Sequence, residues 1–186
     1  MKTRMTLILS ALAGGLTLLS SPIRAEDIPI KITGTVQVPP CKINNNTDFN
    51  VPFGKISLQK VDGRNYAQPT TVEVSCEYFK GRPYIRLSGG TGQLSGAPDN
   101  VLKTTGANPE TLGIALYQGD SVDTSSPLKI GAGEQGQLGY EIKKGLSASN
   151  TQKSQFTFTA VPYKLGSADL NAGTFSASIT MSISYQ

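Results

Sequence analysis

The most regular pattern in the chain is Gly173-Thr174-Phe175-Ser176-Ala177-Ser178-Ile179-Thr180-Met181-Ser182-Ile183-Ser184-Tyr185-Gln186. From Phe175 to Tyr185 every second residue is apolar, and the residues between them are all serine or threonine. Strict alternation with a period of two predicts a β-strand that buries one face. Because the stretch carries no charged side chain, it is also a strand edge that is prone to pair with another strand.

A second stretch of this kind lies near the other end of the chain, at Ile28-Pro29-Ile30-Lys31-Ile32-Thr33-Gly34-Thr35-Val36-Gln37-Val38. Its even positions are apolar or glycine. Fully extended, these 11 residues would span roughly 36 Å. The two stretches could be ordinary edge strands with one buried face. A protein with such strands at both ends could instead use them to pair with other chains.

The sequence between these stretches also favours strands over helices. Helical periodicity is scarce, and clusters of glycine, proline, serine and asparagine separate short alternating runs. We expect strands at Thr71–Cys76, Pro83–Leu87, Thr111–Tyr117, Pro127–Ile130, Leu138–Ile142 and Gln155–Tyr163. This pattern predicts an all-β antiparallel sandwich with immunoglobulin-like topology.

The first 25 residues have the plan of a signal peptide. Lys2 and Arg4 precede an apolar run from Leu7 to Leu19, which is too short to span a bilayer, and a cleavage site follows Ala25. The chain carries 17 basic and 13 acidic residues, a net charge of +4. Three of the basic residues lie in this segment, so 14 basic residues face 13 acidic ones in the exported chain. The basic pI therefore does not indicate a nucleic-acid partner.

Export also bears on the two cysteines, Cys41 and Cys76. In an oxidising compartment such a pair favours one disulfide, with two free buried thiols as the alternative. A disulfide across this loop would contribute roughly 4 kcal/mol in the chain-entropy model.

Nothing in the sequence predicts an enzyme, a cofactor or a metal site. The chain has no histidine, which excludes imidazole-based catalysis and histidine-ligated zinc. The Gly131–Gly136 segment matches a dinucleotide-binding pattern, but an alternating run follows it where a helix is needed. For the two Ser-x-x-Lys matches, at Ser57–Lys60 and Ser126–Lys129, we expect extended chain and a turn in place of the helix that this motif requires. Asp120 and Asp123 offer too few oxygen ligands for calcium.

Several features together resemble the subunits of chaperone–usher fimbriae (pili), and most closely the minor or adaptor tip pilins of P-type fimbriae. They are a glycine fourteenth from the end (Gly173) with a penultimate tyrosine (Tyr185), an alternating extension with Gly34 seven residues before Cys41, the cysteine spacing, and the Ala160–Tyr163 segment Ala-Val-Pro-Tyr. The resemblance covers the chain after the signal peptide.

The resemblance implies an immunoglobulin-like pilin fold that lacks its seventh strand and is completed by donor-strand complementation. It implies three segments: a signal peptide (1–25), an N-terminal donor-strand extension (26–40) and a pilin domain (41–186). A periplasmic chaperone would lend a strand to the groove beside the C-terminal strand, and its basic residues would hold the carboxylate of Gln186. At the outer-membrane usher, the extension of the next subunit would replace the chaperone strand.

The residues that the resemblance assigns to strand exchange form two sets. The donor side chains would be Ile28, Ile30, Ile32, Gly34, Val36 and Val38, with Gly34 where the groove is too tight for a side chain. The groove and chaperone-binding strand would present Gly173, Phe175, Ala177, Ile179, Met181, Ile183, Tyr185 and Gln186.

The expected function is that of a structural minor pilus subunit, an adaptor between the tip adhesin and the tip fibre that contributes to cell adhesion. Its expected partners are the chaperone, the usher and neighbouring subunits, with no nucleic acid and no small-molecule substrate. The expected location is the cell-surface fimbrium, reached through the periplasm. Only 15 residues (26–40) precede Cys41 in the exported chain, which disfavours a two-domain adhesin. A major fibre subunit, a base terminator and a secreted carbohydrate-binding β-sandwich remain alternatives.

Overall fold

The computed structural model describes residues 28–186, and the predicted signal peptide lies outside them. A compact unit spans Val36–Gln186. Its ten strands are β1 (Lys42–Ile43), β2 (Gln68–Ser75), β3 (Pro83–Ser88), β4 (Val101–Lys103), β5 (Thr105–Gly106), β6 (Leu112–Gln118), β7 (Tyr140–Glu141), β8 (Lys153–Lys164), β9 (Phe175–Ser176) and β10 (Thr180–Tyr185). Two single-turn 3₁₀ helices cover Asn44–Asn46 and Leu58–Lys60. No helix within residues 28–186 has the length and apolar character that crossing a bilayer requires.

The strands form two main antiparallel sheets and one small one. The first sheet has the order β1-β2-β8-β6-β4, the second has the order β10-β3-β7, and β5 pairs with β9. The longest pairing joins β2 to β8 over eight residue pairs, from Gln68–Ala160 to Ser75–Lys153. Because β10 pairs with β3, the end of the described chain lies beside a strand about 100 residues earlier.

The main hydrophobic core lies between the two large sheets. Val74 and Phe156 contribute from the first sheet, and Ile85, Leu87 and Ile183 from the second, each at most 2% exposed. Along β2 and β3 the inward residues alternate with more exposed ones, as the pleat of a strand requires. Burying each such side chain stabilises the fold by about 1.5–3 kcal/mol. The expected all-β sandwich is therefore confirmed.

A second, smaller cluster covers the outer face of the first sheet. It consists of Leu94, Val101, Ala115, Tyr117 and Val161. All seven residues of β6 are buried as a result, because this strand has apolar partners on both faces.

The disulfide between Cys41 and Cys76 is present, with an S–S distance of 2.02 Å. It joins the residue before β1 to the residue after β2, and the pairing of Lys42 with Ser75 lies directly beside it. The chain therefore enters the first sheet at a fixed point.

The structure confirms some of the expected strands and corrects others. β2, β3, β6 and β8 match the predictions closely. The strand expected at Pro127–Ile130 is wrong: Pro127 forms one isolated bridge with Tyr117, and the N–H of Ile130 donates to the carbonyl of Asp99 in a loop. The strand expected at Leu138–Ile142 shortens to β7. The short strands β1, β4 and β5 were not predicted.

The alternating run from Phe175 to Tyr185 is one continuous sequence pattern, but it forms two separate strands, β9 and β10. Phe175 and Ser176 pair with β5, whereas Thr180–Tyr185 pair with β3. The residues between them pair with no strand, although the backbone N–H of Thr91 donates to the carbonyl of Ser178 over 2.9 Å. The same face of the chain stays apolar across both strands, because β5 and β3 lie on the same side of the chain.

A buried glutamine holds several loops to the first sheet. Gln118 is 5% exposed. Its side-chain carbonyl accepts the backbone N–H groups of Lys143 and Lys144 over 2.8 and 3.1 Å, and its amide donates to the carbonyls of Pro127 and Glu141 over 3.4 and 3.2 Å. One side chain thus satisfies four backbone groups that would otherwise lack partners.

We expect Gln118→Ala to lower the free energy of unfolding by about 2–4 kcal/mol, because several backbone groups lose their partners in a buried place. Urea unfolding followed by far-UV circular dichroism measures the change. Gln155→Ala is the matched control, since that side chain is exposed on β8. Equal stability of the two variants would contradict the role given to Gln118.

Candidate functional site

A long apolar groove opens beside the C-terminal strands and has a volume of about 1270 Å³. One side is residues 46–56, which we call the first wall, and the other is residues 170–182, which we call the second wall. The floor consists of side chains from the main core: Leu87, Leu102, Ile114, Leu116, Leu128, Phe158 and Ala160. The groove is therefore an opening in the core of the sandwich.

Burial along the second wall changes at one point. Phe175, Ala177, Ile179 and Met181 pack against the core but are only half-buried. Two and four residues further on, Ile183 and Tyr185 are 0% and 1% exposed. The apolar face is thus continuous, and the chain covers only its last part.

The backbone of the second wall is also unpaired on the groove side. Arg82 and Gln186 exchange both backbone hydrogen bonds, over 2.9 and 3.0 Å. In an antiparallel ladder such pairs recur at every second residue, so the even-numbered residues of β10 bond to β3. The N–H and C=O groups of the odd-numbered residues must then point towards the groove. From Phe175 to Met181 these groups have no backbone partner among the described residues, because β9 pairs only with β5 and β10 only with β3.

The first strand closes this open edge at its C-terminal end. The backbone N–H of Cys41 donates to the carbonyl of Ile183 over 2.7 Å. After Cys41 the chain pairs with β2 and then turns through Asn44, Asn45 and Asn46, all with positive φ angles. This left-handed turn directs the chain away from β10. The groove is therefore open along the part of the second wall that precedes Ile183.

The first wall is irregular and contributes aromatic side chains. Residues 47–56 contain no strand or helix. The ring of Phe53 lies 6.2 Å from the ring of Phe175 on the second wall, and the ring of Phe49 lies 6.0 Å from the floor residue Phe158. No periodic pattern in the sequence marks this wall, and its role was not predicted.

A glycine allows a loop to lie against the second wall. Gly90 has a φ of +59°, and a Cβ atom there would overlap the carbonyl of Ser178. Gly173, at the start of the alternating run, is exposed and would meet the Cβ of Ala107 at 2.7 Å if it carried a side chain. Both glycines permit close approaches that shape the second wall.

The N-terminal extension presents its apolar side chains to solvent. Ile28, Ile30 and Ile32 are 81%, 84% and 90% exposed, and no strand is assigned between residues 28 and 40. Val36 is likewise fully exposed, and Val38 is 43% exposed. The segment therefore has the alternating pattern of a β-strand. It lacks the neighbouring strand and the apolar surface against which such a strand packs.

Gln186 holds the end of β10 in place on two sides. Besides its backbone pairing with Arg82, its side-chain amide donates to the carbonyl of Leu138 over 3.0 Å and accepts the N–H of Leu138 over 3.2 Å. The register of β10 against β3 is therefore fixed at this end.

The other motifs that the sequence contains do not form sites. No helix follows Gly131–Gly136, whereas Leu58–Lys60 of the first Ser-x-x-Lys match form a single 3₁₀ turn where extended chain was expected. The ammonium of Lys144 and the hydroxyl and N–H of Ser125 bond the carboxylate of Asp123, and they hold its pKa well below the ordinary value. Within residues 28–186 no group of three or more acidic, cysteine or histidine side chains could hold a metal ion.

An incomplete β-sandwich with an open strand edge, an apolar groove beside it and an unpaired alternating extension is the architecture of a pilus subunit. The chain matches the fimbrial protein family over residues 30–186. It belongs to that family, and its expected pilin fold is confirmed.

The similar proteins specify the kind of subunit further. The chain is 39% identical to the fimbrial adapter PapF of Escherichia coli over 168 residues, which cover 90% of this chain and 93% of PapF. It is 38% identical to the minor fimbrial protein PrsF of Escherichia coli, with the same coverage of both chains. By name, the first relative is a fimbrial adapter and the second a minor fimbrial protein.

Solved structures agree with this assignment. The P pilus adaptor subunit PapF has a TM-score of 0.53 and 34% identity, and the match covers 82% of this chain and all of PapF. The P pilus rod subunit PapA has a TM-score of 0.51 and 20% identity over 85% of this chain. The second likeness concerns the fold alone.

We expect the groove of the subunit, freshly refolded from denaturant at low concentration, to bind an apolar dye such as 8-anilinonaphthalene-1-sulfonate. Ile179→Asp puts a charge on the half-buried face and should roughly halve the dye fluorescence, since apolar area in the groove binds the dye. Thr180→Asp, one residue along on the exposed face, should leave the fluorescence unchanged. A dye signal insensitive to both variants would place the apolar surface elsewhere.

Proposed function

We propose that this pilus subunit is an adaptor that links two neighbouring subunits by strand exchange. Its groove accepts a strand from one neighbour, and its extension (residues 26–40) enters the groove of the other. The observation that carries the proposal is the open backbone edge at Phe175–Met181 beside the apolar groove.

The proposal that the groove accepts a strand follows from the unpaired backbone groups and the half-buried side chains of the second wall. An incoming strand would pair with the free N–H and C=O groups of Ala177, Ile179 and Met181. Its inward side chains would cover the half-buried apolar face and fill the groove. This is β-strand addition, in which main-chain bonds provide affinity and alternate side chains provide specificity.

The donating half follows from the pattern of the extension. Ile28, Ile30, Ile32, Val36 and Val38 would all face inward in one strand. At about 1.5–3 kcal/mol for each buried aliphatic side chain, the set contributes roughly 7–15 kcal/mol. That is comparable with the stability of a whole domain, so a fibre can hold together without covalent links between subunits.

A subunit whose groove is empty and whose extension is unpaired needs protection before assembly. Its groove and its extension both present apolar surface to water, and strand edges of this kind aggregate. A periplasmic chaperone that lends a strand, followed by exchange at an outer-membrane usher, meets this need. The completed subunit then lies in the fimbrium at the cell surface, where it contributes to adhesion through the neighbours it joins.

The adaptor role, as opposed to that of a fibre subunit or base terminator, is supported by the named relatives. PapF is an adapter and PrsF is a minor fimbrial protein, and each matches over nine tenths of this chain. The likeness to the rod subunit PapA is lower in sequence identity and concerns the shared fold. We assign a structural role without catalysis.

Expressed alone in the periplasm, the mature chain should aggregate or be degraded, because its groove has no strand. Co-expressed with its cognate chaperone, it should accumulate as a soluble complex, measured by fractionation and co-purification. Ile179→Asp should prevent the capture, and Thr180→Asp should not. Accumulation of the lone chain in the periplasm as a soluble monomer, without the chaperone, would rule out the accepting half of the proposal.

Removal of residues 26–40 should preserve the chaperone complex but abolish docking into a preceding subunit, because the donor side chains are lost. Native electrophoresis of the exchange reaction measures docking. Ile32→Asp should weaken it strongly, whereas Thr33→Asp, which faces outward, should not. Unimpaired docking by the shortened chain would mean that another segment is the donor.

A further inference from the structure

A short and stiff segment joins the extension to the body of the subunit. Val38 is the last apolar residue of the extension, and only Pro39 and Pro40 separate it from Cys41, which the disulfide holds in the body. Each proline fixes its own φ angle and keeps the residue before it extended. The Cα atoms of Val38 and Cys41 are therefore at most about 11 Å apart, and this segment does not fold back on itself.

This short reach limits how far two joined subunits can separate. Once Val38 lies in the groove of a preceding subunit, Cys41 stands within about 11 Å of that groove. Two packed sheets are about 10 Å apart, so the remaining space holds little more than side chains. The surface around Cys41 must therefore lie against the body of the preceding subunit.

The loop that connects β2 to β3, residues 77–82, lies beside this exit point, and we call it the junction loop. The Cα atoms of Cys41 and Cys76 are 4.2 Å apart, and Tyr78 follows Cys76 by two residues. The Cα atoms of Cys41 and Tyr78 are consequently no more than about 11 Å apart. The junction loop and the extension thus leave the sandwich at the same end.

The rest of the fold holds the junction loop in one conformation. Phe79 is half-buried and packs against the main core. The N–H of Gly81 donates to the side-chain carbonyl of Asn150 over 3.2 Å, and Arg82 exchanges both backbone hydrogen bonds with the last residue of the chain. Tyr78, beside Phe79, remains 42% exposed. An ordered loop thus presents an aromatic side chain that the fold itself does not bury.

We propose that the junction loop, with Tyr78 at its centre, is a second contact surface for the subunit whose groove holds this chain's extension. The inference rests on the proposed strand exchange. Tyrosine is enriched at the centres of protein interfaces because its ring is apolar and rigid while its hydroxyl can bond. Lys80 and the exposed Lys42–Glu77 ion pair, at 3.7 Å, surround it with polar groups. The partner surface is accordingly one with an apolar depression and a polar rim.

The experiment uses whole fimbriae purified from cells in which this chain carries a photo-crosslinking residue (Tyr78→p-benzoylphenylalanine). After irradiation, mass spectrometry identifies the subunits that are linked to position 78. The main linked partner should be the preceding subunit, since its body lies against the junction loop. Assembled fibres contain the chain with both of its neighbours, so that each candidate partner is present.

The opposite end of the sandwich offers the matched control. Lys153, at the start of β8, pairs with Ser75 beside the disulfide, and β8 then carries the chain to Lys164 at the other end. Ala168 is exposed in the loop that follows. The same photo-crosslinking residue at position 168 should give no link to the preceding subunit.

A longer connection tests the role of the two prolines. Insertion of Gly-Ser-Gly-Ser between Pro39 and Pro40 leaves every donor side chain unchanged, so the subunit should still enter the fibre. The fraction linked through position 78 should fall about fourfold, because a longer and flexible connection lowers the effective concentration of the preceding subunit at the junction loop.

The possible results separate the contact surface from strand exchange. Fibres that contain the chain but show no link from position 78 to the preceding subunit would overturn the contact surface alone. A predominant link to another subunit, or equal links from positions 78 and 168, would do the same. Undiminished linking after the insertion would overturn the role of the short connection; if the lengthened chain does not assemble, positions 78 and 168 decide by themselves. Absence of the unmodified chain from the fibres would overturn strand exchange itself, and the contact surface with it.

Discussion

The unpaired backbone edge of the second wall is the constraint on which the rest of this structure depends. From Phe175 to Met181, N–H and C=O groups face the groove without backbone partners among the described residues. A folded chain rarely leaves such groups unpaired away from water, and a sheet edge of this kind recruits another strand. The half-buried side chains along the same edge also need a covering strand. One incoming strand would pair the free backbone groups and bury the apolar face.

The remainder of the fold keeps that edge open. The disulfide fixes where the chain enters the first sheet, and the Cys41–Ile183 bond covers only the end of β10. The left-handed turn at Asn44–Asn46 then directs the chain into the first wall, which is irregular and supplies no strand. On the other side, β3 holds β10 in a register that Gln186 and Arg82 fix. The core is thereby assembled around a gap that matches a strand.

Much of the fold could be predicted from the sequence, because the alternation of apolar and polar residues is a local signal. The strict pattern from Phe175 to Tyr185 predicted which side chains face the core, and the structure confirms every one of these orientations. The strand expected at Pro127–Ile130 was wrong because a short apolar run there meets β6 only at one bridge. The first wall could not be predicted, since residues 47–56 have no periodicity and owe their place to contacts such as Phe53 with Phe175.

From the sequence alone followed the all-β class, the inward face of the alternating run from Phe175 to Tyr185 and the favoured pairing of the two cysteines. These follow from the two-residue repeat of a strand and from the chemistry of an exported chain. Only the tertiary structure decided that the second wall has a free edge and where that edge ends. Whether a strand edge is open depends on its neighbours, and here those neighbours, Cys41 and β3, are about 100 residues or more away along the chain.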